Sequence, residues 1–137
     1  MPAISFTGGT ATGKIISQKT AASFKKLSLE MGGKNPAIIF TDCNYNKMLE
    51  TVVQSSFSNQ GQICLSSSRI LIQTEIFQRF KKDFIGKVNK LIVGDPQDHE
   101  SNLGAISSKN HFNKILNYIK LAEKEGGEIL FGGKALK

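Results

Sequence analysis

The sequence has few cysteines, few prolines and no tryptophan, and these shortages exclude several classes of protein. Its two cysteines, Cys43 and Cys64, are too few for the disulfide framework of a small secreted domain. Their spacing matches no zinc ribbon, and two histidines do not complete a zinc site with them, so we expect no metal site. Three prolines beside thirteen glycines exclude a collagen-like or low-complexity chain.

Long apolar runs are missing as well. No run approaches the ~18 apolar residues that a membrane-spanning helix needs, so we expect no membrane association. The first six residues carry neither a basic segment nor a long apolar core, so they do not resemble a signal peptide. They also lack the arginine-rich character of a transit peptide. We therefore expect a cytoplasmic protein, with mitochondria as the alternative.

Basic residues outnumber acidic ones, with 18 Lys and Arg against 11 Asp and Glu, giving a net charge of +7. A basic excess can indicate a nucleic-acid partner when the charges cluster with aromatic residues on one face. Here the lysines are spread along the whole chain and adjoin one another at most in pairs. We interpret them as a solvated surface and expect no nucleic-acid partner. A basic α/β domain that binds nucleic acid is the alternative, and a salt-dependent gel shift would test it.

Short apolar segments alternate with longer segments that have apolar residues at helical spacing. This alternation predicts an α/β fold with a largely parallel sheet, and 137 residues suit one ordinary domain. The segment 36–40 is apolar at every position except its first, which predicts a strand in the interior of a sheet. The predicted strands are 3–7, 26–30, 36–40, 69–73 and 128–131, and the predicted helices are 12–24, 44–58, 74–88 and 109–124.

A glycine-rich turn, Gly8-Gly9-x-x-x-Gly13, separates the first strand from the first helix. Glycines at such a position let backbone N–H groups approach a ligand, and the helix N-terminus favours negative charge. The spacing is not that of the dinucleotide fingerprint G-x-G-x-x-G. A nucleotide-binding loop and a plain turn therefore both remain open from this motif alone.

Two further residues are candidates for chemistry. Glu30 lies between two apolar residues at a strand end, where partial desolvation would suit a carboxylate to general-base work; a carboxylate that bonds backbone N–H groups is the alternative. Cys64 follows the polar segment 59–63 in a loop between a helix and a strand, which favours a reactive thiol. A small buried hydrophobe is the alternative for Cys64, and it is our interpretation of Cys43.

Taken in order, these segments resemble the aldehyde dehydrogenase superfamily over essentially the whole chain. The glutamate and the cysteine lie 34 positions apart (64 − 30), as in that family. Segments 25–30 and 35–40 look most similar to the branch that acts on 2-aminomuconic or hydroxymuconic semialdehydes, with the betaine-aldehyde branch next. The three blocks that carry the resemblance are Phe6-Thr7-Gly8-Gly9, Leu29-Glu30-Met31-Gly32-Gly33-Lys34-Asn35-Pro36 and Phe57-x-Asn59-Gln60-Gly61-Gln62-Ile63-Cys64.

The resemblance implies a role for each candidate. Cys64 would be the nucleophile that attacks an aldehyde, with its own backbone N–H stabilising the oxyanion. Glu30 would deprotonate the water that hydrolyses the thioester, which implies a free acid as product. Gly8, Gly9 and Gly13 would approach NAD, with NADP as the alternative. The implied partners are a small aldehyde substrate and further copies of the enzyme in a homodimer or homotetramer.

The resemblance also implies a partial fold. Residues 1–31 would be the C-terminal end of a Rossmann-type NAD(P)-binding domain, and residues 32–137 the N-terminal part of a catalytic α/β domain. Gly9 stands where the family more often has serine. Much of the family's cofactor cradle has no counterpart in the sequence, so we expect the chain alone to be inactive. A truncated, non-catalytic product that acts as a binding or structural module is the alternative.

Overall fold

The computed structural model describes residues 1–136, which form four strands and four helices. Short 3₁₀ turns at Ala21–Ser23 and Ser58–Gly61 follow the first two helices. The predicted α/β class is confirmed, although the second and third strands follow one another directly, as do the last two helices. The strands are β1 (Ala3–Gly8), β2 (Lys26–Met31), β3 (Asn35–Ile39) and β4 (Ser67–Ile72), and the helices are α1 (Thr10–Thr20), α2 (Tyr45–Phe57), α3 (Thr74–Val88) and α4 (Lys109–Lys124).

The strands pair in parallel, as predicted, but they form two two-stranded sheets instead of one. In the first sheet Thr7 on β1 lies opposite Glu30 on β2. In the second sheet Ile39 on β3 lies opposite Ile72 on β4. Residues 32–34 connect the two sheets. The assignment of residues 1–31 and 32–137 to two domains stays a prediction.

Strand β3 is not the interior strand that its apolar sequence predicts. Among residues 1–136 it pairs with β4 alone, and Ile38 and Phe40 are each 61% exposed. An apolar run reports that both faces of a strand suit burial. An apolar run does not indicate whether a second neighbouring strand is present. The prediction that β3 lies in the interior of a sheet is therefore wrong for the described residues.

The hydrophobic core lies where β3, α2 and α3 meet. Four apolar side chains are buried there: Ile39, Leu49, Val52 and Phe80. Asn44 caps α2, since its Oδ1 accepts a hydrogen bond from the N–H of Lys47 at 3.2 Å, as is typical of asparagine before a helix. Few buried side chains in a chain of this length leave much apolar surface in contact with solvent.

The C-terminal segment differs from its prediction. Helix α4 ends before Gly126, whose φ of +90° is typical of a C′ glycine. The segment 128–131 is not a strand, because no strand among the described residues lies beside it to complete a ladder. Its residues instead border an apolar cavity of about 630 Å³ together with Phe57 and Phe84.

None of the helices within residues 1–136 is long and apolar enough to span a membrane.

Candidate active site

A cleft of about 520 Å³ lies between the carboxyl ends of β1 and β2 and the segments that lead into β3 and β4. It brings together four of the five candidate residues, from parts of the chain that are far apart in sequence. The fifth candidate, Gly13, does not border it. The candidates that line the cleft are Gly8, Gly9, Glu30 and Cys64.

Glu30 reaches the cleft because it lies near the end of β2, opposite Thr7 on β1. Its neighbour Met31 lies opposite Gly8, so the parallel register places the carboxylate beside the glycine-rich turn. The expected partial desolvation of Glu30 is not observed, because the residue is exposed. Glu30 is exposed because no element among residues 1–136 covers the open side of the cleft above the end of β2.

Cys64 lies in a tight turn before β4 that is closed by one backbone hydrogen bond, from the N–H of Ser66 to the carbonyl of Ile63 at 3.0 Å. Its thiol is free and exposed, whereas Cys43 is half-buried and packs against the core. The two cysteines therefore occupy the different environments that the sequence predicts. Only the exposed one borders the cleft.

The backbone just before this turn is strained. Asn59, Gln60 and Gly61 are all left-handed, with φ values of 50°, 57° and 73°. Such a conformation costs about 1–2 kcal/mol for each residue other than glycine. Strained backbone is often found where a fold holds a functional side chain in place, and the strain here lies three to five positions before Cys64.

Two hydrogen-bonding side chains that the sequence analysis did not single out tie the Cys64 turn to the start of β3. Asn35 Nδ2 donates to the carbonyl of Cys64 at 2.5 Å and to that of Ser66 at 3.3 Å. Arg69 donates to the carbonyl of Lys34 through Nε at 3.0 Å and also through Nη2. The only sequence signal for this link is a polar residue directly before Pro36 at a strand start.

The three candidate glycines have different physical reasons to lack a side chain. A Cβ at Gly8 would lie 2.6 Å from the Phe6 ring, and one at Gly13 would lie 2.6 Å from Met31 Sδ. A Cβ at Gly9 would meet nothing within 4 Å. Packing therefore explains Gly8 and Gly13, while at Gly9 only open space in the cleft faces the backbone. That space suits the close approach of a ligand to the backbone.

Another wall of the cleft is formed by His111, in the first turn of α4, and by Ser107, just before the helix. The N–H of Ser107 donates to Gln62 Oε1 at 3.1 Å, which joins this wall to the loop before Cys64. Ser66 also lines the cleft, and its buried hydroxyl has no hydrogen-bond partner within residues 1–136. The sequence offered no signal for these residues, because only the tertiary fold brings α4 to the cleft.

Comparison with known proteins gives a consistent result. The aldehyde dehydrogenase family matches residues 1–137. The 2-aminomuconic semialdehyde dehydrogenase of Mus musculus is 48% identical over 132 residues, which cover 96% of this chain and 27% of that protein. The 4-trimethylaminobutyraldehyde dehydrogenase A of Danio rerio is 37% identical over 131 residues, which cover 96% of this chain and 26% of that protein.

A solved structure agrees with these sequence matches. The betaine aldehyde dehydrogenase of Staphylococcus aureus in complex with NAD⁺ superimposes with a TM-score of 0.97 at 36% identity, covering all of this chain and 27% of that one. The chain thus spans about a quarter of the length of the relatives that it matches. The match confirms the predicted partial α/β fold.

Proposed function

Because the chain belongs to the aldehyde dehydrogenase family, we propose that the protein oxidises an aldehyde to a carboxylic acid with NAD⁺, using Cys64 as nucleophile and Glu30 as base. The observation that carries this proposal is the cleft that holds both residues beside Gly9. An exposed thiol, a carboxylate and an open stretch of backbone are the groups that covalent aldehyde oxidation needs.

The residues of the cleft fit a dinucleotide cofactor. Backbone without Cβ atoms borders the cleft at Gly8 and Gly9, and a side chain at Gly9 would point into free space. Gly32 also lines the cleft and has nothing within 4 Å of its Cβ position. A flat ring can therefore approach the backbone at Gly9 and at Gly32. When bound, NAD⁺ supplies the acceptor for the hydride.

The reaction begins at Cys64. Its thiolate attacks the aldehyde carbon and forms a carbon–sulfur bond, and the carbonyl electron pair moves to oxygen. In this proposal the Cys64 backbone N–H stabilises that oxyanion, as in other acyl-transfer sites. When the carbonyl re-forms, the hydride leaves the carbon with its electron pair and a thioester remains on Cys64 Sγ.

Glu30 serves the second half of the reaction. Its carboxylate takes a proton from water, the hydroxide attacks the thioester carbon, and the carbon–sulfur bond breaks to release the acid and the thiolate. An exposed carboxylate has ready access to that water. The balance is one aldehyde, one NAD⁺ and one water giving one carboxylate, one NADH and two protons.

We propose a semialdehyde of the muconic type as substrate. The support is the higher identity to the 2-aminomuconic semialdehyde dehydrogenases of Mus musculus and Homo sapiens, both 48%, than to the 4-trimethylaminobutyraldehyde enzyme at 37%. The difference extends over 131–132 aligned residues, so it does not reflect one shared motif. A panel of aldehydes assayed with the same protein ranks these substrate classes.

The 137-residue chain by itself is inactive under this proposal. Within residues 1–136 four apolar side chains are buried, and the cleft lies open above Glu30. Hydride transfer needs the reacting atoms within about 3–3.5 Å of one another. A cleft with an open side holds neither cofactor nor aldehyde to that tolerance.

The test of the function compares Cys64→Ser with Cys43→Ser in the longest native polypeptide that contains these residues. NADH formation with an aldehyde should vanish in the first variant and persist in the second. Limiting iodoacetamide should label Cys64 before Cys43, because only Cys64 is exposed, and labelling should stop turnover. Turnover that survives Cys64→Ser would refute the assignment of the nucleophile.

A further inference from the structure

The turn that carries Cys64 depends on one amide side chain, and we propose that Asn35 is a positioning residue that holds this turn for catalysis. This inference rests on the function proposed above. Asn35 makes no contact with a reacting atom in the proposed steps. It acts through the backbone of the nucleophile.

The amide bridges two carbonyls of the turn. Asn35 Nδ2 donates to Cys64 O at 2.5 Å and to Ser66 O at 3.3 Å, so its two hydrogens hold the carbonyls on either side of Leu65. The β3–β4 ladder begins with Asn35 opposite Ser67 and does not extend to Cys64. The side chain thus continues the pairing beyond the point where the backbone ladder ends.

A second link runs in the opposite direction. Arg69 on β4 donates twice to the carbonyl of Lys34, the residue just before Asn35. The ladder is irregular here, because Asn35 pairs with Ser67 and Pro36 with Arg69. Proline has no N–H to contribute. Side-chain hydrogen bonds therefore take the place of the missing backbone bond at this point.

These links set the position of the nucleophile relative to the base. The segment 32–34 leads from the end of β2, where Glu30 lies, to Asn35. The side chains of Cys64 and Leu65 contribute little packing to the turn, because Cys64 is exposed and Leu65 is 78% exposed. Without the Asn35 amide, the turn keeps one backbone hydrogen bond, from Ser66 N–H to Ile63 O.

The first test measures the turn itself in the longest native polypeptide that contains these residues. Asn35→Ala should speed hydrogen exchange at the Ser66 amide by about tenfold, because it removes both hydrogen bonds from the amide to the turn and so favours local opening. Amides in the middle of β4 should keep their protection. Asn35→Ser, which keeps one donor, should fall between Ala and wild type. The matched control is Asn102→Ala, which removes a 2.8 Å bond from Ile92 N–H to Asn102 Oδ1 outside the cleft.

The second test measures catalysis in the longest native polypeptide that contains these residues. Asn35→Ala should lower kcat by roughly 10–100-fold, the cost of a misplaced reacting group. The KM for NAD⁺ should change little. A merely destabilised fold would instead alter both kcat and the KM for NAD⁺. The serine variant should recover part of kcat, and Asn102→Ala should match wild type.

The two tests separate the inference from the function beneath it. Faster Ser66 exchange in a protein that oxidises no aldehyde would refute the proposed function. It would still support the role of Asn35 in holding the Cys64 turn. Unchanged exchange in Asn35→Ala, or an unchanged kcat in an active enzyme, would overturn the positioning role. If Asn35→Ala loses protection throughout β4, Asn35→Ser is compared with wild type instead. Unchanged Ser66 exchange or an unchanged kcat in Asn35→Ser would then overturn the positioning role.

Discussion

Cys64 and Glu30 line one cleft although 34 positions separate them (64 − 30) and they adjoin different two-stranded sheets. Glu30 belongs to β2 and Cys64 precedes β4. The chain achieves this because residues 32–34 carry it directly from the end of β2 to the start of β3, the pairing partner of β4. Nucleophile and base thus approach the same space from separate elements, so each can be changed without rebuilding the other.

Replacing Glu30 by glutamine should spare the first half of the reaction and slow the second. A neutral amide cannot take a proton from water, so the thioester should accumulate after one round of NADH formation. Steady-state turnover should fall by roughly 10²–10⁴-fold, the usual contribution of a general base. Stopped-flow absorbance of NADH in the longest native polypeptide should show a burst followed by a slow phase.

The matched control for that experiment is Glu50→Gln. Glu50 is exposed on α2, pairs with Lys87 at 3.3 Å and lies outside the cleft of Glu30 and Cys64. The Glu50→Gln variant should leave both the burst and the slow phase of the NADH trace unchanged. A steady state in Glu30→Gln equal to that of wild type would remove Glu30 from the mechanism.

Replacing Gly9 by serine should stabilise α1 slightly. Gly9 is the N-cap residue, with φ −72° and ψ 144°, and provides no side-chain cap. A serine side chain fits there because its Cβ would meet nothing within 4 Å, and its hydroxyl could accept a hydrogen bond from the first helical turn. The free energy of unfolding should rise by a few tenths of a kcal/mol, measured by urea denaturation. Gly9→Ala, which adds a Cβ without an acceptor, should show no such gain.

The contact between α2 and α3 should weaken at high pH. Tyr45 Oη donates to Asp83 Oδ2 at 2.8 Å. Burial, together with the Asp83 carboxylate, raises the pKa of Tyr45 above its ordinary value of 10.0. The neutral phenol is therefore the form that stabilises the fold. This contribution is complete below pH ~10, the pKa in the unfolded chain, and is lost as the pH rises through the raised pKa of the folded state.

Tyr45→Phe measures that contribution. At pH 7 the variant should lose about 1 kcal/mol in the free energy of unfolding, the typical net value of a hydrogen bond. The difference from wild type should shrink in a denaturation series taken above pH ~10. The control is Tyr118→Phe, because Tyr118 is 61% exposed and its side chain has no carboxylate partner within residues 1–136. A pH-independent difference for Tyr45→Phe would contradict the role of the phenol proton.

The 137-residue chain should show no dehydrogenase activity when expressed by itself. NADH formation with several aldehydes should stay at background, while the longest native polypeptide that contains these residues serves as the active control. The exposed Ile38 and Phe40 on β3 should also make the chain prone to aggregation. A cooperative thermal melt, a shift of that melt with NAD⁺ and Cys64-dependent turnover would together contradict this prediction.

The sequence by itself determined the local structure and the identity of the candidate residues. Apolar periodicity placed the helices and four of the five predicted strands, since side chains alternate between faces with fixed periods in each element. The same reading distinguished Cys64 in its loop from Cys43 at a strand exit. The glycine-rich turn, Glu30 and Cys64 could be named because each follows or ends a predicted element.

Only the tertiary structure decided how these pieces meet. The strand expected at 128–131 is absent, because a strand exists only where a neighbour pairs with it. Glu30 is exposed because no described element packs above it, and β3 has a single partner because no second strand lies beside it. Local sequence encodes neither the covering elements nor the neighbouring strands. Asn35 reaches the Cys64 and Ser66 carbonyls across about 30 positions of chain (64 − 35 and 66 − 35). Such a contact requires β3 and β4 to pair first, so no local pattern predicts it.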